Sequence, residues 1–565
     1  MTTEARTAGT SRTAVRPRRR WGTAALALAT GAVTAATLAP TAAAATTPTG
    51  CADLVGTEVP ADAIGLPTSG AVVDSATVVP AAAPLPEYCD VRFTIRRVDP
   101  DAPDVSARVN LPTDWNGRGM HFGGGGYNGV VPEATGNAPS APPDTPPPLA
   151  RGYATFASDS GHTGGNATFA LNEEALVNFG YAALKKTRDV AGALIRARYG
   201  TDPHHTYFVG SSQGGREGLT VAQRFPDDYD GVLSRVPVVP FTALQLAGNR
   251  VGAAVAAGGW MNAAEIQTLT DATFAACDPR DGVQDGLIAR YPDCDPDPAQ
   301  LLCPPDVDPA TSDTCLSAAQ VDLVRTVRSD LELDVHLANG VRSYPGWPAG
   351  HEALSWPFWI TGAAPLPETQ APGAVQPGGA PFPGTSAVAN FGAQWVRYAI
   401  AQDPDLDTRT FDPDDPRWRE RIREVSEIVD STDPDLSAFR ARGGKLIMQE
   451  HFGDYAQSGF AGARYFESVV DELGRRRTAD FARLYVSPGA DHGGQGAPSL
   501  VDWVSLLETW VEDGEAPRRV VQSGTVGTVA RTLPACQYPE WPRYRGGPVE
   551  EAASYRCTGS HGHHR

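Results

Sequence analysis

Apolar and polar positions follow a strand-then-helix rhythm along two separate stretches of the chain. From Asp90 to Val238, short β-prone apolar runs stand at Val91–Val98, Gly119–Gly123, Tyr153–Ser158 and Thr206–Val209. Longer helix-period segments lie among them, including Phe179–Tyr199 and Arg216–Phe225. From Gly443 to Pro517 the rhythm returns as strand Lys445–Gln449, helix Phe460–Leu473, strand Arg483–Ser487 and helix Leu500–Glu512. Alternation of this kind predicts an α/β fold, with a mostly parallel sheet covered by helices. Between the two stretches the pattern dissolves. Residues 240–442 are rich in Pro and Gly, hold six Trp, and include runs such as Gly362–Gly384 that suit neither helix nor strand. The pattern therefore predicts an α/β domain made of residues 46–239 and 443–565, interrupted by an inserted lid domain at 240–442.

The first 45 residues belong to neither. Arg16, Arg18, Arg19 and Arg20 precede an Ala-rich apolar stretch from Trp21 to about Ala39, and Ala42–Ala45 offers a small-residue cleavage site. This reads as an export signal and implies a secreted, extracellular protein. No other run is long and apolar enough to span a bilayer. The net charge of −19 includes six Arg and one Glu in that signal, which leaves about −24 on the remainder. Such acidity excludes nucleic acid and anionic membrane as main partners. Eight Cys in an exported chain read as disulfides. Sequence order suggests Cys51–Cys89, Cys277–Cys294, Cys303–Cys315 and Cys536–Cys557.

The chemistry enters at Gly210-Ser211-Ser212-Gln213-Gly214, which joins the run Thr206–Val209 to the helix that follows. This is a G-x-S-x-G nucleophile elbow in its strand–turn–helix context, with Ser212 at its centre and Ser211 as the off-centre rival. At a helix N-terminus, backbone N–H groups favour the negative charge that develops on acyl transfer. A serine nucleophile needs a base, and the base an orienting carboxylate. In α/β-hydrolases these follow in the order Ser, Asp or Glu, His, each after a strand. His492 and Asp454 hold those places. Glu450 and Asp491 compete as the acid and His451 as the base, while His336 and His351 lie in the insert. The run His121-Phe-Gly-Gly-Gly-Gly126 follows an early strand. Gly125, with the N–H of Gln213, is its candidate oxyanion hole. A third cluster, Asp278, Asp281 and Asp285, has the spacing and glycine punctuation of a hard-cation loop, framed by Cys277 and Cys294.

Taken together these residues resemble the tannase and feruloyl esterase family of secreted α/β-hydrolases. The likeness also runs through Trp115-Asn-Gly-Arg118, Asp159-Ser-Gly-His-Thr-Gly-Gly165, Gln223-Arg-Phe-Pro-Asp-Asp-Tyr-Asp-Gly231, Asp433-Pro-Asp-Leu436 and Arg531-Thr-Leu-Pro534. The resemblance implies Ser212 as nucleophile, Asp454 as acid and His492 as base. It implies a structural Ca²⁺ in the lid, held by Asp278, Asp281 and Asp285 with the backbone carbonyls of Val283 and Leu287. It points to small aromatic esters or feruloylated polysaccharide as substrate. Hydroxycinnamate esters come first, then gallate esters as in tannins, with aromatic acyl groups as the common theme. From a different class, the chain could be an inactive hydrolase fold that binds cell-wall carbohydrate; the ordered Ser, Asp and His favour an enzyme. Two departures from the family pattern stand out. Many members carry a disulfide-linked Cys pair just before the nucleophile and just after the catalytic His, where this chain has Ser211 and Gly493. Glu450-His451-Phe452 stands where members tend to have His-Gly-Trp. Packing and hydrogen bonds are therefore expected to hold the triad in place of the covalent link.

Overall fold

A computed structural model describes residues 48–365 and 385–559. The export signal, most of Gly362–Gly384 and the terminal His561, His563 and His564 lie outside the described residues. Eleven strands form one sheet: β1 (Glu58–Val59), β2 (Ala71–Val79), β3 (Tyr88–Ile95), β4 (Val105–Pro112), β5 (Arg118–Phe122), β6 (Ala154–Ser158), β7 (His205–Ser211), β8 (Gly231–Arg235), β9 (Lys445–His451), β10 (Ala482–Ser487) and β11 (Cys536–Gln537). Their spatial order is 1-2-3-4-6-5-7-8-9-10-11. The six strands from β6 to β10 in that order are mutually parallel, and antiparallel strands flank them on both sides.

The parallel strands are buried on both faces, which is why they read as short continuous apolar runs. On one face, helix α1 (Ala183–Tyr199) lays Val190, Ala191 and Leu194 against Val91, Val109 and Phe156. Helix α2 (Gln213–Arg224) packs Leu219 and Val221 with Phe208, Val232 and Met448. Trp503, Leu507 and Trp510 of the helix Trp503–Glu512 pack with Tyr207, Leu233 and Ile447. Each such fully buried aliphatic side chain contributes about 1.5–3 kcal/mol.

Register fixes the active edge. Ser211 pairs with Arg235, Arg235 with Gln449, and His451 with Ser487. The carboxyl ends of β7, β8, β9 and β10 therefore lie side by side, the edge at which open parallel sheets place their ligand crevice.

The predicted strands and helices are present with shifted ends. Val91–Val98 is displaced to Tyr88–Ile95, because Ile95 pairs with Val105 and the chain turns at the Arg pair that follows. The helix expected from Phe179 opens with a π turn at Asn178–Ala182. The helix expected from Leu500 starts at Trp503, where the Asp502 side chain accepts the Ser505 N–H as a cap. The run read as helical from Arg216 begins at Gln213. Strands β1, β2, β4, β8 and β11 were not expected from the pattern.

The described residues cluster as one compact unit. The core of the insert is continuous with both blocks: Trp356, Trp395, Leu269 and Val324 share a cluster with Tyr127, Phe169 and Phe179 of the first and Tyr455 of the second. All four disulfides pair as the sequence order suggests.

Candidate active site

Ser212 sits at φ 61°, ψ −121°, between the last residue of β7 and the first of α2. A non-glycine residue at positive φ costs energy and persists only where its surroundings dictate it. The flanking glycines make the turn possible. A Cβ on Gly210 would lie 2.1 Å from the Gly214 carbonyl oxygen, and one on Gly214 would lie 2.8 Å from the Gly124 oxygen. The strand, the helix and the glycine loop after β5 thus approach backbone to backbone at the nucleophile.

That loop is braced by an acid. Gly123 N–H donates to Val209 O at 2.9 Å, and Gly124 N–H donates to Glu217 Oε2 at 2.9 Å. Glu217 lies on α2, is buried, and also accepts from Asn128 Nδ2 at 2.6 Å. Burial holds its carboxyl above the usual range, against the pull of Arg216. The N–H groups of Gly125 and of Gln213 donate no hydrogen bond among the described residues, and a Cβ on Gly125 would meet open space. Both are unengaged donors, Gln213 following Ser212 in the elbow and Gly125 following Gly124, whose carbonyl accepts the Gly214 N–H at 3.1 Å; an oxyanion hole requires such free donors.

Asp454 is fully buried in the loop after β9. Its Oδ1 accepts the Ala456 N–H at 2.7 Å and its Oδ2 accepts His492 Nδ1–H at 2.7 Å. His492 lies in the loop after β10 with its side chain 16% exposed. With Nδ1 as donor, Nε2 is the ring nitrogen able to accept a hydroxyl proton. The rival groups are engaged elsewhere. Asp491 Oδ1 accepts the Gln495 N–H at 2.7 Å, and Glu450 accepts Gln457 Nε2 at 2.9 Å. His451 donates from Nδ1 to Asp491 O at 2.6 Å, and burial depresses its pKa strongly, so it stays neutral.

Three residues passed over in the sequence complete the site. Glu217 is one. Arg235 is the second: Nη1 donates to Ser211 Oγ at 2.7 Å and Nη2 to His492 O at 3.0 Å. Trp359, at the end of the helix Glu352–Trp359, meets the His492 imidazole edge-on with ring centroids 5.2 Å apart. Among the described residues, it is the only one of the insert's Trp residues in ring contact with a candidate triad member. Trp347, Trp356 and Trp395 are buried in the core.

The acidic loop lies under this site. Leu287 and Ala289 pack with Ala490 and Ala497, which flank His492. Asp278 accepts the N–H of Asp285 and Gly286, and Asp281 those of Val283 and Ala289. Asp285 Oδ2 accepts from Arg531 and from the Tyr555 hydroxyl, while its Oδ1 is buried with no partner. Three buried carboxyls and one guanidinium leave uncompensated negative charge and an orphaned oxygen, a donor chemistry that fits an oxygen-seeking cation. Among the described residues, however, no group of three or more His, Cys, Asp or Glu side chains is drawn together as a metal cage. The orphaned oxygen weighs more, because the aspartates already spend oxygens on the loop backbone and carbonyls would supply the remaining ligands.

Comparison with known proteins bears on all of this. A family model described as "Tannase and feruloyl esterase" matches residues 89–558. An uncharacterized esterase of Agrobacterium fabrum is 36% identical over 90% of this chain and 93% of its own. A mono(2-hydroxyethyl) terephthalate hydrolase of Piscinibacter sakaiensis is 31% identical over 86% of this chain and 87% of its own. Among solved structures, feruloyl esterase B from Aspergillus oryzae superposes with a TM-score of 0.73 at 24% identity, covering 87% of this chain and 98% of its own. That likeness establishes the α/β-hydrolase fold.

Proposed function

The chain belongs to the tannase and feruloyl esterase family and is a carboxylic ester hydrolase, and we propose that it cleaves esters of aromatic carboxylic acids, hydroxycinnamates such as ferulate first among them, through an acyl-enzyme on Ser212. The observation that carries this reading is the Asp454–His492 hydrogen bond of 2.7 Å at the strand edge that also bears the strained Ser212. His492 takes the Ser212 proton as the hydroxyl oxygen attacks the ester carbonyl. The oxyanion is held by the N–H groups of Gln213 and Gly125. The alcohol leaves with the proton from His492, which then activates water to free the acid. Asp454 fixes the tautomer and stabilises the imidazolium.

Trp359 supports an aromatic acyl group, since its ring flanks His492 and offers an apolar face beside the reacting centre. We take residues 240–442 as a lid on the same ground. A second acyl class, terephthalate monoesters, is favoured by the 31% identity to the Piscinibacter enzyme; gallate esters come third. The signal-like N-terminus and four disulfides support secretion. A structural Ca²⁺, ligated by Asp278, Asp281 and Asp285 with the carbonyls of Val283 and Leu287, would offset the charge of the acidic loop.

A substrate panel tests the assignment. With methyl ferulate, methyl caffeate, methyl gallate and mono(2-hydroxyethyl) terephthalate, kcat/KM is expected to be highest for the two hydroxycinnamates. A gallate or terephthalate value tenfold above both would reassign the acyl specificity.

A further inference from the structure

One buried ion near the site has no role in the mechanism so far described. Arg235 ends β8 and is 7% exposed. Burial lowers its pKa, and Asp454, Asp491 and Glu450 offset that only in part, none of them forming an ion pair with it among the described residues. A buried cation without a paired carboxylate is costly and seldom kept for stability alone.

Its contacts show where the guanidinium is spent. Nη1 donates to Ser211 Oγ at 2.7 Å and Nη2 to His492 O at 3.0 Å. The Arg235 carbonyl accepts the Ser212 N–H at 2.9 Å. All three bonds end within one residue of Ser212 or His492. The next residue, Val236, is held at φ 39° with its N–H on Gln449 O at 2.8 Å. A β-branched residue avoids that region, so the backbone beside Arg235 is strained and tightly held. From the neighbouring strand, His451 donates to Asp491 O at 2.6 Å. Side chains of β8 and β9 thus take two consecutive carbonyls of the loop that carries His492. A Cβ on Gly494 would lie 3.1 Å from Arg235 Nη2, so the loop closes directly over the guanidinium.

We propose that Arg235 is a positioning residue: its planar fork ties Ser211 to the His492 backbone and so sets the separation of nucleophile and base without a covalent link. A guanidinium suits the task because it presents two parallel donors to acceptors on different elements, whereas an ammonium is a single point. The proposal rests on the assignment of Ser212 and His492.

The test is a set of variants measured on methyl ferulate with folding checked by thermal melts. R235Q is expected to lower kcat by about 10- to 100-fold, the scale of a small misalignment of reacting groups, with KM within about threefold. R235K should recover part of that loss. S211A should lower kcat severalfold, and R235Q/S211A should lose no more than R235Q alone, because both changes cut one strap. The proposal is overturned if folded R235Q keeps kcat within about twofold, or if the two losses multiply in the double variant. Should R235Q fail to fold, S211A decides: a severalfold fall in kcat at constant KM supports the strap, and kcat within twofold overturns it. S212A is run alongside. If S212A retains activity, the assignment of the nucleophile fails; if S212A is dead while R235Q and S211A are unimpaired, only the strap fails.

Discussion

Asp454 gives one carboxylate oxygen to the His492 ring and the other to its own loop, accepting the Ala456 N–H at 2.7 Å while Oδ2 stands 2.7 Å from Nδ1. The acid is thereby oriented by backbone before it orients the base. D454N should keep the Oδ1 contact and turn an amide N–H₂ toward Nδ1. Two donors cannot face each other, so the imidazole must take the other tautomer and lose its free Nε2. A fall in kcat of about 10⁴-fold with a nearly unchanged melting temperature is expected. Steady-state kinetics on methyl ferulate would reject this role if D454N kept more than a tenth of wild-type kcat.

Glu217 should act on the oxyanion loop. E217A leaves the Gly124 N–H without a partner in a buried place, at a cost of about 1–3 kcal/mol, and takes from the Asn128 amide one of its two acceptors, Ser160 Oγ remaining at 2.6 Å. Lower thermal stability and a lower kcat are expected together. E217Q, which retains one acceptor oxygen, should recover most of the stability. Equal melting temperatures for wild type and E217A would show that the loop does not depend on this brace.

Much of this was legible in the sequence, and the reasons are physical. The elbow was readable because a strained turn admits glycine alone at Gly210 and Gly214. That His492 and Asp454 each stand in a loop after a strand was readable because Lys445–Gln449 and Arg483–Ser487 have strong β propensity. The disulfides were readable from sequence order, since every bridge closes a local loop. Arg235 was not readable: Gly231–Arg235 holds only two large apolar residues, Val232 and Leu233, between a Gly and a Ser-Arg pair, and β9 is remote in sequence. Only the sheet order brings Ser211 and Gln449 to either side of it. Glu217 was hidden because a carboxylate in a helix reads as solvated unless the partner loop is known. Trp359 was one of six Trp in the insert, and sequence does not separate a core indole from one beside the base.

Asp159 makes a pH signature. It is 2% exposed, and burial raises its carboxyl to about 6, opposed by N–H donors from Gly161 and Ser106. Between the unfolded value of 3.8 and about 6 the native state binds more protons at this site than the unfolded state does. Stability at this site therefore falls as pH rises through that window and is lowest above it. D159N keeps the Oδ1 acceptor without the charge. It should raise the melting temperature at pH 7, by up to about 2–3 kcal/mol in stability, with the advantage gone at pH 4. A pH-independent difference between the two melts would contradict this.

The acidic loop gives a chelation test. If Ca²⁺ binds there and not to the unfolded chain, removing it forfeits about 2.7 kcal/mol at a hundredfold excess over Kd. EDTA should lower the melting temperature by roughly 2–3 °C, and added Ca²⁺ should restore it. D285N, which removes the charge of the orphaned oxygen, should blunt the response. Identical melts after prolonged chelation at raised temperature would rule the ion out.

The most direct measurement is turnover of methyl ferulate by S212A against wild type, with intact-mass analysis of quenched wild-type reactions. The account predicts a loss of about 10⁴- to 10⁶-fold in kcat, an unchanged melting temperature, and a feruloyl adduct present on the wild type and absent from S212A. Ferulate release by S212A at the wild-type rate would contradict it.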